Sequence, residues 1–265
     1  MMKIINSNEN KNFKLCIQLA QKKFRDKLGL YLIEGLNLLE EAVNNDAEIK
    51  LVIFNAEMFS TIEILREIDL YKGAEIIAMS EKLFIKLAQT ETSQGVIGVI
   101  KKNHGTQQEV EKKIFSELSN VIILDRLQDP GNIGTIIRTA DAAGYKGIIA
   151  LKGTADVYAP KVVRAAAGSV FRMPVLFFES PAQVLECLKK HGKKIVSTCF
   201  NTENNYYDID LKNDIGLVIG NEGKGISREL IEGSDIKIKI PMTGKVESLN
   251  AAVAAGIIMF EAIRK

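Results

Sequence analysis

The chain contains 265 residues, enough for two domains of ordinary size. Hydrophobic residues make up 46% of it and charged residues 26%, a composition typical of soluble globular proteins, and no apolar run is long enough to cross a bilayer. A membrane protein is therefore not expected, and the net charge of +2 is too small to indicate nucleic-acid binding by itself.

Cysteine and histidine usage favours the reducing cytoplasm and argues against metal binding. Cys16, Cys187 and Cys199 are scattered, which gives no disulfide framework, and the polar N-terminal stretch lacks the apolar core of a signal peptide. His104 and His191 show no pattern of cysteine or histidine partners typical of a zinc site. We therefore expect a cytoplasmic protein without a bound metal.

Residues 11–27 form the first predicted element. Phe13, Ile17, Ala20 and Phe24 recur at helical spacing among basic residues, which predicts an amphipathic helix with a basic outer face. On these residues alone, that face fits an ordinary solvated surface better than a surface that contacts phosphates, which stays the alternative.

Residues 29–102 alternate strand-like runs (YLIEG, IKLVIFN, AEIIAMS and GVIGVIKK) with helical patterns. A polar segment with a glycine at position 105 follows, and it is the best candidate for a linker. We therefore predict two domains, residues 1–105 and 120–265, with the linker over about 103–119.

The second domain is predicted to be an α/β domain with a mostly parallel sheet flanked by helices. Its strand-like runs are VIILDRL, KGIIAL, PVLFF, KIVSTCF, DIGLVIG and IKIKIPM, and helical patterns separate most of them. Because ligands bind beyond the carboxyl ends of the strands in such sheets, three polar loops form the candidate site. The loops are DRLQDPGN, GNEGKG and MTGKVESLN.

The glycine-rich loop in GLVIGNEGKGIS does not fit the common phosphate-binding patterns. A phosphate loop requires a lysine followed by serine or threonine, whereas Gly225 follows Lys224. The dinucleotide fingerprint requires Gly-x-Gly-x-x-Gly at a first strand-to-helix turn, and this loop lies near the end of the sequence. Glu222 would also repel a phosphate. Either the loop binds no nucleotide, or it binds one that carries positive charge.

The other two loops place polar residues near the starts of helices. Asn132 suits a helix N-terminus, and Arg138 lies six residues later on an otherwise apolar helix face. Ser248 and Asn250 stand at the start of the last helix, where they could cap it or bind a ligand. Arg138 could likewise bind a ligand or form an ion pair with one of three aspartates, Asp125, Asp129 or Asp141.

In this order, DPGNIGTIIRTADAAG, LVIGNEGKGIS and IPMTGKVESLNAAVAA resemble the three motifs of the SpoU (TrmH) family of RNA ribose methyltransferases, in the SPOUT superfamily. LYLIEGLNLLEEAV and TSQGVIGVI resemble the family's substrate-binding domain, a ribosomal-protein fold of the L30e type. The resemblance covers nearly the whole chain and is more specific in the second half. It implies a SPOUT domain with a C-terminal trefoil knot, preceded by a smaller α/β domain, and a homodimer formed through the knotted region.

The resemblance also implies a cofactor, S-adenosylmethionine, whose positive sulfonium agrees with the acidic loop. The implied cofactor-binding residues are Thr198, Gly220, Asn221, Gly223, Ile240, Met242 and Leu249. The implied catalytic residues are Asn132, Arg138, Glu222, Ser248 and Asn250.

The implied reaction is methylation of an RNA ribose 2′-hydroxyl. Because a guanidinium keeps its proton far above neutral pH, we expect Arg138 to clamp a phosphate beside the target ribose, and Glu222 or a water to accept the proton. The favoured substrate is 23S ribosomal RNA, since a ribosomal-protein-like domain suits structured rRNA. The alternatives are a transfer RNA substrate and a non-catalytic RNA-binding or ribosome assembly factor with a vestigial cofactor site.

Overall fold

A computed structural model describes residues 4–60, 63–64, 68–71, 73–102, 106–115 and 118–264. The chain divides into two compact units. The first contains Met1–His104 and Tyr158–Phe171, and the second contains Gly105–Val157 and Arg172–Lys265. His104 and the predicted boundary at residue 105 lie outside the described residues. The sequence analysis assigned Tyr158–Phe171 to the second domain, whereas the fold groups it with the first unit.

The first unit contains a five-stranded mixed sheet. Its strands are β1 (Ile4–Ile5), β2 (Leu30–Glu34), β3 (Ile49–Asn55), β4 (Glu75–Met79) and β5 (Val96–Lys101). Their order is β1-β4-β3-β5-β2, with β4 parallel to β1 and β3, and β5 antiparallel to β3 and β2. The four predicted strands are confirmed, and β1 was not predicted.

The N-terminal part of the first unit contributes helices α1 (Lys11–Leu19), α2 (Lys22–Leu28), α3 (Leu36–Asn44) and α4 (Glu81–Phe84). Residues 61–62 and 65–67 of the helical pattern at residues 57–68 lie outside the described residues. The pattern at residues 81–89 forms a regular helix only as far as Phe84.

The prediction of one helix over residues 11–27 is wrong, because α1 ends at Leu19 and α2 starts at Lys22. Arg25 explains the break. Its guanidinium donates 2.8 Å hydrogen bonds to the carbonyl oxygens of Leu19 and Ala20, so the end of α1 is satisfied without further helix. Arg25 itself is only 4% exposed and is not part of a basic outer face.

The apolar face of α1 also differs from the predicted one. Phe13 is buried as expected, but Ile17 is exposed, and Cys16 and Leu19 are buried in its place. The predicted period assumed one continuous helix, and the break changes which residues face the core.

Residues 158–171 belong to the first unit because their aromatic and basic side chains pack on it. The Tyr158 ring lies 5.0 Å from the Tyr31 ring, and Lys102 Nζ lies 4.9 Å from the centre of the Tyr158 ring. Arg164 Nη1 donates a 3.1 Å hydrogen bond to the carbonyl oxygen of Gln89. This segment contains α7 (Pro160–Ala166) and most of α8 (Ser169–Arg172).

The second unit contains a six-stranded sheet in which every pair is parallel. Its strands are β6 (Val121–Asp125), β7 (Gly147–Leu151), β8 (Val175–Phe178), β9 (Lys194–Thr198), β10 (Ile215–Gly220) and β11 (Ile236–Ile238). Their order is β11-β9-β10-β6-β7-β8. Every residue of β6 and β7 is buried, as expected for apolar strands covered on both faces. The predicted parallel sheet is confirmed.

Helices flank this sheet. They are α5 (Gln107–Ile114), α6 (Pro130–Ala142), α9 (Pro181–Lys190), α10 (Arg228–Glu232) and α11 (Ala251–Glu261). α5 and α9 both begin with a capping box, at Thr106 and Ser180, which explains why they start there. Within the described ranges, no helix combines the length and apolar character needed to cross a membrane.

The register of the sheet brings the predicted loops to one edge. Gly220, the last residue of β10, pairs with Asp125, the last residue of β6. On the other side of β10, Val218 pairs with Ser197 of β9, and Ile238 of β11 pairs with Thr198. The loops after β6 and β10 and the segment after β11 therefore begin at the same end of the sheet.

Replacing Arg25 tests the account of the α1–α2 break. We expect Arg25→Met to lower the free energy of unfolding by about 1.5–3 kcal/mol, because two carbonyl groups lose hydrogen bonds from a charged donor. Denaturant titration followed by circular dichroism measures this change. Lys22→Met, an exposed change in the same helix, serves as the control and should stay within roughly 0.5 kcal/mol of the parent. Equal effects of the two changes would contradict the role given to Arg25.

Candidate active site

The site is built around the end of β6, where Asp125 is completely buried. Its carboxylate accepts hydrogen bonds from Arg126, at 2.7 Å from Nε and 3.1 Å from Nη2. It also accepts a 2.5 Å hydrogen bond from the backbone N–H of Ser227. Because a buried charge has to be paired, these contacts tie the end of β6 to the segment after β10. Hydrogen bonding to Asp125 raises the pKa of the Arg126 guanidinium.

Arg126 also connects the first two loops through its side chain and its backbone. Its Nη2 donates a 3.2 Å hydrogen bond to the carbonyl oxygen of Gly225. Its own carbonyl oxygen accepts a 2.8 Å hydrogen bond from Asn221 Nδ2. The backbone at Arg126 has a φ of 58°, in the left-handed region that favours glycine. The surrounding contacts hold it in this unfavourable conformation.

The glycine-rich loop folds back on the end of β10. Asn221 Oδ1 accepts hydrogen bonds from the backbone N–H groups of Gly223 at 3.0 Å and Lys224 at 2.9 Å, which closes a compact turn. A Cβ at Gly220 would overlap the backbone nitrogen of Ile226 and the carbonyl carbon of Gly225. The loop can therefore take this path only if residue 220 is glycine.

Glu222 links this loop to the loop after β6. Its Oε1 accepts hydrogen bonds of 3.1 Å from the Asp129 backbone N–H and from Asn132 Nδ2. Its Oε2 accepts a 3.1 Å hydrogen bond from the Gln128 backbone N–H. Partial burial raises the pKa of Glu222, but these hydrogen bonds outweigh it, so its pKa lies below the ordinary value. A carboxylate held in this way is a weak base.

The third loop joins the same network through Asn250. Its Nδ2 donates a 2.8 Å hydrogen bond to Asn132 Oδ1. Its Oδ1 accepts hydrogen bonds from the backbone N–H groups of Ala252 at 2.9 Å and Val253 at 3.3 Å, so Asn250 also caps α11. Asn132 is 90 residues from Glu222 and 118 residues from Asn250 in the sequence. Its side chain contacts both, so the three residues form one hydrogen-bonded network.

The cap of α6 is a correction to the sequence analysis. Asp129, and not Asn132, is the N-cap residue, and its Oδ1 accepts a 2.8 Å hydrogen bond from the Asn132 backbone N–H. Pro130 then starts the helix, since the first helical position needs no N–H donor. This placement leaves the Asn132 side chain free to bridge Glu222 and Asn250.

Arg138 and Ser248, the other two predicted catalytic residues, lie outside this network and are exposed. None of the three ion pairs considered for Arg138 forms, since Asp125 pairs with Arg126, Asp141 pairs with Arg172, and Asp129 caps α6. Within the part of the chain that the structure describes, the Arg138 guanidinium has no hydrogen-bond or ion-pair partner. It is therefore available to an external group.

Four further predicted residues are half-buried: Thr198, Ile240, Met242 and Leu249. Thr198 ends β9, and its Oγ1 is 3.5 Å from the carbonyl oxygen of Val218 in β10. Ile240 and Met242 follow β11 directly. The loops thus offer backbone groups, an acidic side chain and glycines to a ligand, a set that suits a partly apolar ligand carrying positive charge.

The residues that hold the loops in place are not among the predicted site residues: Asp125, Arg126 and Ser227. An aspartate at the end of a buried apolar strand and followed by an arginine is the signal that could have indicated the first two. Ser227 contributes only its backbone N–H to this contact, and no side-chain pattern reveals such a role.

Comparison with known proteins assigns the family. The model of the SpoU rRNA Methylase family matches residues 119–260, which is more than half of the chain. The chain belongs to the SpoU rRNA methylase family. The model of the MRM3-like substrate binding domain matches residues 10–98 of this SpoU protein.

Relatives and solved structures resemble the SpoU protein over nearly its whole length. The 23S rRNA (guanosine(2553)-2′-O)-methyltransferase RlmP of Bacillus subtilis is 36% identical over 259 residues, which cover 98% of both chains. An AdoMet-bound rRNA methyltransferase from Sinorhizobium meliloti is 31% identical with a TM-score of 0.84, covering 98% of this chain and 97% of that one. AviRb from Streptomyces viridochromogenes, a SpoU methyltransferase in complex with AdoMet, is 31% identical with a TM-score of 0.85, covering 96% and 97%.

The family predicted from the three loop motifs is thereby confirmed, and with it the enzyme class. The parallel sheet flanked by helices is the α/β architecture of the matched SpoU structures. The roles of individual residues in cofactor binding and catalysis stay predictions.

Replacing Gly220 tests the steric requirement of the loop. We expect Gly220→Ala to lower the affinity for S-adenosylmethionine at least about tenfold, because the new Cβ must displace the backbone at residues 225 and 226. Isothermal titration calorimetry measures the affinity. Gly223→Ala places its Cβ no closer than 3.8 Å to Asn221 Oδ1, and its effect should be smaller. A larger loss from Gly223→Ala would argue against steric control at position 220.

The lowered pKa of Glu222 predicts how its contribution to the stability of the fold changes with pH. Its pKa is lowered in the folded protein, so ionised Glu222 stabilises the fold above the unfolded-state pKa, and this contribution is lost as the pH falls through the folded-state pKa. The stability difference between the parent and Glu222→Gln should therefore be largest at neutral pH and shrink in acid. Thermal unfolding across this pH range measures it, with Glu229→Gln as the exposed control. A difference independent of pH would contradict the role of the charge.

Proposed function

We propose that this chain methylates a ribose 2′-hydroxyl of 23S ribosomal RNA, with S-adenosylmethionine as the methyl donor. The observation that carries the proposal is the hydrogen-bonded set of Asn132, Glu222 and Asn250, which joins the three motif loops in a member of the SpoU family. The relative RlmP, whose name specifies 23S rRNA and a 2′-oxygen, matches nearly the whole chain. A vestigial site would have no need to keep three separated loops linked in this way.

The cofactor would be held by Thr198, Gly220, Asn221, Gly223, Ile240, Met242 and Leu249. These residues fit it, because the missing Cβ at Gly220 lets the backbone turn tightly and the half-buried Ile240, Met242 and Leu249 offer apolar contact. The acidic Glu222 in the same loop agrees with a cationic ligand. When bound, S-adenosylmethionine supplies the methyl group that is transferred.

Arg138 is proposed to bind the RNA phosphate next to the target ribose and to stabilise negative charge on the 2′-oxygen. The support is its exposure and the absence of a protein partner for its guanidinium within the described residues. A planar, permanently charged fork suits bidentate contact with a phosphate. Ser248, which is also exposed, would contact the same substrate, while Asn132 and Asn250 would keep the loops in register.

A water is the better candidate for the proton acceptor. Glu222 was the other one considered, but both of its oxygens already accept hydrogen bonds and its pKa is lowered. We therefore assign Glu222 a positioning role. It holds the loop after β6 against the loop after β10, so that Asn132 and the N-terminus of α6 face the same space as the glycine-rich loop.

The N-terminal part of the chain is proposed to select the RNA. The match to the MRM3-like substrate binding domain over residues 10–98 supports this role, and lysines exposed on α1 and α2 offer contacts to phosphates. We propose residues 1–105 as the RNA-binding domain, with a ribosomal-protein fold of the L30e type, and residues 120–265 as the catalytic domain. Because ribosomal RNA is made and modified in the cytoplasm of bacteria, the protein is proposed to act there.

The last segment is proposed to form a trefoil knot and a homodimer interface. Three apolar residues of the C-terminal region support the interface, since Val253, Phe260 and Ile263 are 52%, 49% and 47% exposed. Exposed apolar side chains grouped in one short segment are typical of surfaces that bind another protein. A monomeric mass at micromolar concentration in solution would contradict the dimer.

Transfer of labelled methyl groups tests the function. Ribosomal RNA and bulk transfer RNA, both from cells lacking this protein, are offered separately, and the labelled nucleotide is mapped. We expect label at one ribose 2′-oxygen of 23S rRNA, because the name of the relative RlmP specifies that RNA and a 2′-oxygen. Label in transfer RNA alone would replace the rRNA assignment. Cofactor binding without label in either pool would favour a ribosomal precursor particle, and no cofactor binding would favour an assembly factor.

Arg138 variants test its proposed role in the same assay. Arg138→Ala should lower the transfer rate by about 10²–10³ with unchanged cofactor affinity, the typical loss for one electrostatic contact. Arg138→Lys should recover only part of it, because lysine lacks the bidentate fork. Arg228→Ala, an exposed arginine of the same unit that pairs with Glu232, is the control and should keep full activity. Full activity of Arg138→Lys would show that a bidentate contact is not required.

A further inference from the structure

Three metal-ligating side chains meet between α5 and α9, on elements that the proposed methyl transfer does not use. Glu111 comes from α5, Cys187 lies in the last turns of α9, and His191 is its C-cap residue. One ligand atom from each lies within 4.8 Å of the other two. The expectation of no metal site considered only regular cysteine and histidine patterns, and it overlooked Cys187, four residues before His191.

The helix geometry explains why two of the ligands share one face. Residues four apart in a helix are neighbours on its surface, so Cys187 and His191 both face α5. The His191 backbone N–H donates a 3.2 Å hydrogen bond to the Cys187 carbonyl oxygen, which keeps this spacing at the end of α9. Val184, Leu188 and Ile114 pack in the same hydrophobic core as Cys187, so both helices are anchored by buried side chains.

The imidazole is oriented by its neighbours. The Phe115 and His191 rings stack with their centres 4.1 Å apart and their planes at 8°. This stack leaves the nitrogens in the ring plane free for other contacts, and His191 Nε2 lies 3.4 Å from Glu111 Oε2. Tetrahedral zinc with bonds of about 2.0–2.3 Å holds its ligand atoms roughly 3.3–3.8 Å apart. The histidine and glutamate atoms already meet this spacing, and the sulfur needs to move by no more than about 1.5 Å.

The environment of the three groups suits a metal cation that is largely shielded from bulk solvent. The side chains of Glu111 and His191 are 12% and 22% exposed, and Cys187 is buried. Burial raises the pKa of Glu111, but hydrogen bonds from Lys190, His191 and Gln107 outweigh it and lower the pKa, so Glu111 is ionised at neutral pH. Burial, and next the charge of Glu111, raise the pKa of the Cys187 thiol to about 11. A metal therefore has to displace the thiol proton into solvent.

We propose that Glu111, Cys187 and His191 bind Zn²⁺, with a water as the fourth ligand, and that the ion joins α5 to the end of α9. Cysteine, histidine and a carboxylate are the ligands zinc takes in proteins, and four-coordinate tetrahedral geometry is its usual arrangement. Lys190 Nζ, 3.0 Å from Glu111 Oε2, competes for the same oxygen and turns to solvent when the metal binds. Since α5 and α9 both pack on β7 and β8, the ion stabilises this side of the second unit.

Cobalt is the probe for this site, because Co²⁺ replaces Zn²⁺ and reports a thiolate ligand by its absorption. The untagged full-length chain, freed of metal with a chelator, is titrated with Co²⁺. We expect a sulfur-to-cobalt charge-transfer band and intense visible bands of tetrahedral cobalt, saturating at one equivalent and lost when Zn²⁺ is added. Because the thiol proton is released, the apparent affinity should rise with pH. A titration with no charge-transfer band would overturn the proposal.

Substitutions of the three ligand residues distinguish Co²⁺ binding at this cluster from non-specific Co²⁺ binding elsewhere on the protein. Cys187→Ser should abolish the charge-transfer band, and His191→Phe, which keeps an aromatic ring against Phe115, should weaken Co²⁺ binding at least about tenfold. Cys199→Ser changes a thiol outside the cluster and should leave the band intact. A band that survives Cys187→Ser would reject the assignment. If Cys187→Ser does not fold, Glu111→Gln takes its place, and unchanged Co²⁺ affinity in that variant would reject it equally.

Thermal unfolding gives a second readout that does not depend on methyl transfer. Zn²⁺ should raise the melting temperature of the parent and of Cys199→Ser, because an ion that binds only the folded state stabilises it. The melting temperature of Cys187→Ser should not respond. Equal shifts in all three proteins would mean that the stabilising ion binds elsewhere.

Discussion

The carboxylate of Asp125 has no contact with solvent, and the arrangement of the loops after β6 and β10 depends on how its charge is neutralised. A buried unpaired charge would cost several kcal/mol, so Arg126 and the Ser227 N–H have to stay close to it. Arg126 lies in the loop after β6, and Ser227 lies in the segment after β10. Neutralising one charge therefore holds two loops at a fixed distance, and the network of Asn132, Glu222 and Asn250 adds the third loop.

Glu222, the acidic residue of the glycine-rich loop, connects loops in this arrangement. A carboxylate in a methyltransferase site suggests a proton acceptor when only its residue type is known. The three hydrogen bonds that Gln128, Asp129 and Asn132 donate to Glu222 lower its basicity, fix its position and connect two loops. Glu222 therefore serves as a connector between loops, whereas the Arg138 guanidinium is exposed and has no partner among the described residues.

The sheet of the second unit and the identity of its loops could be predicted, because apolar β-branched runs and short motifs are local signals. Three features could not be. The pairing of Asp125 with the Ser227 N–H joins residues 102 positions apart and involves a backbone group. The break after α1 depends on Arg25 folding back onto carbonyl groups. Asp129 and Asn132 are both good N-cap residues for α6. Asp129 is the cap, because the Asn132 side chain bonds Glu222 and Asn250 in distant loops.

The packing of Tyr158–Phe171 on the first unit has a consequence for how the chain can be divided. The polypeptide passes between the two units three times, after residues 104, 157 and 171. A single cut near the linker would therefore leave Tyr158 without the Tyr31 ring and Lys102 that cover it. A protein engineered to carry another N-terminal unit would therefore also need a replacement for Tyr158–Phe171.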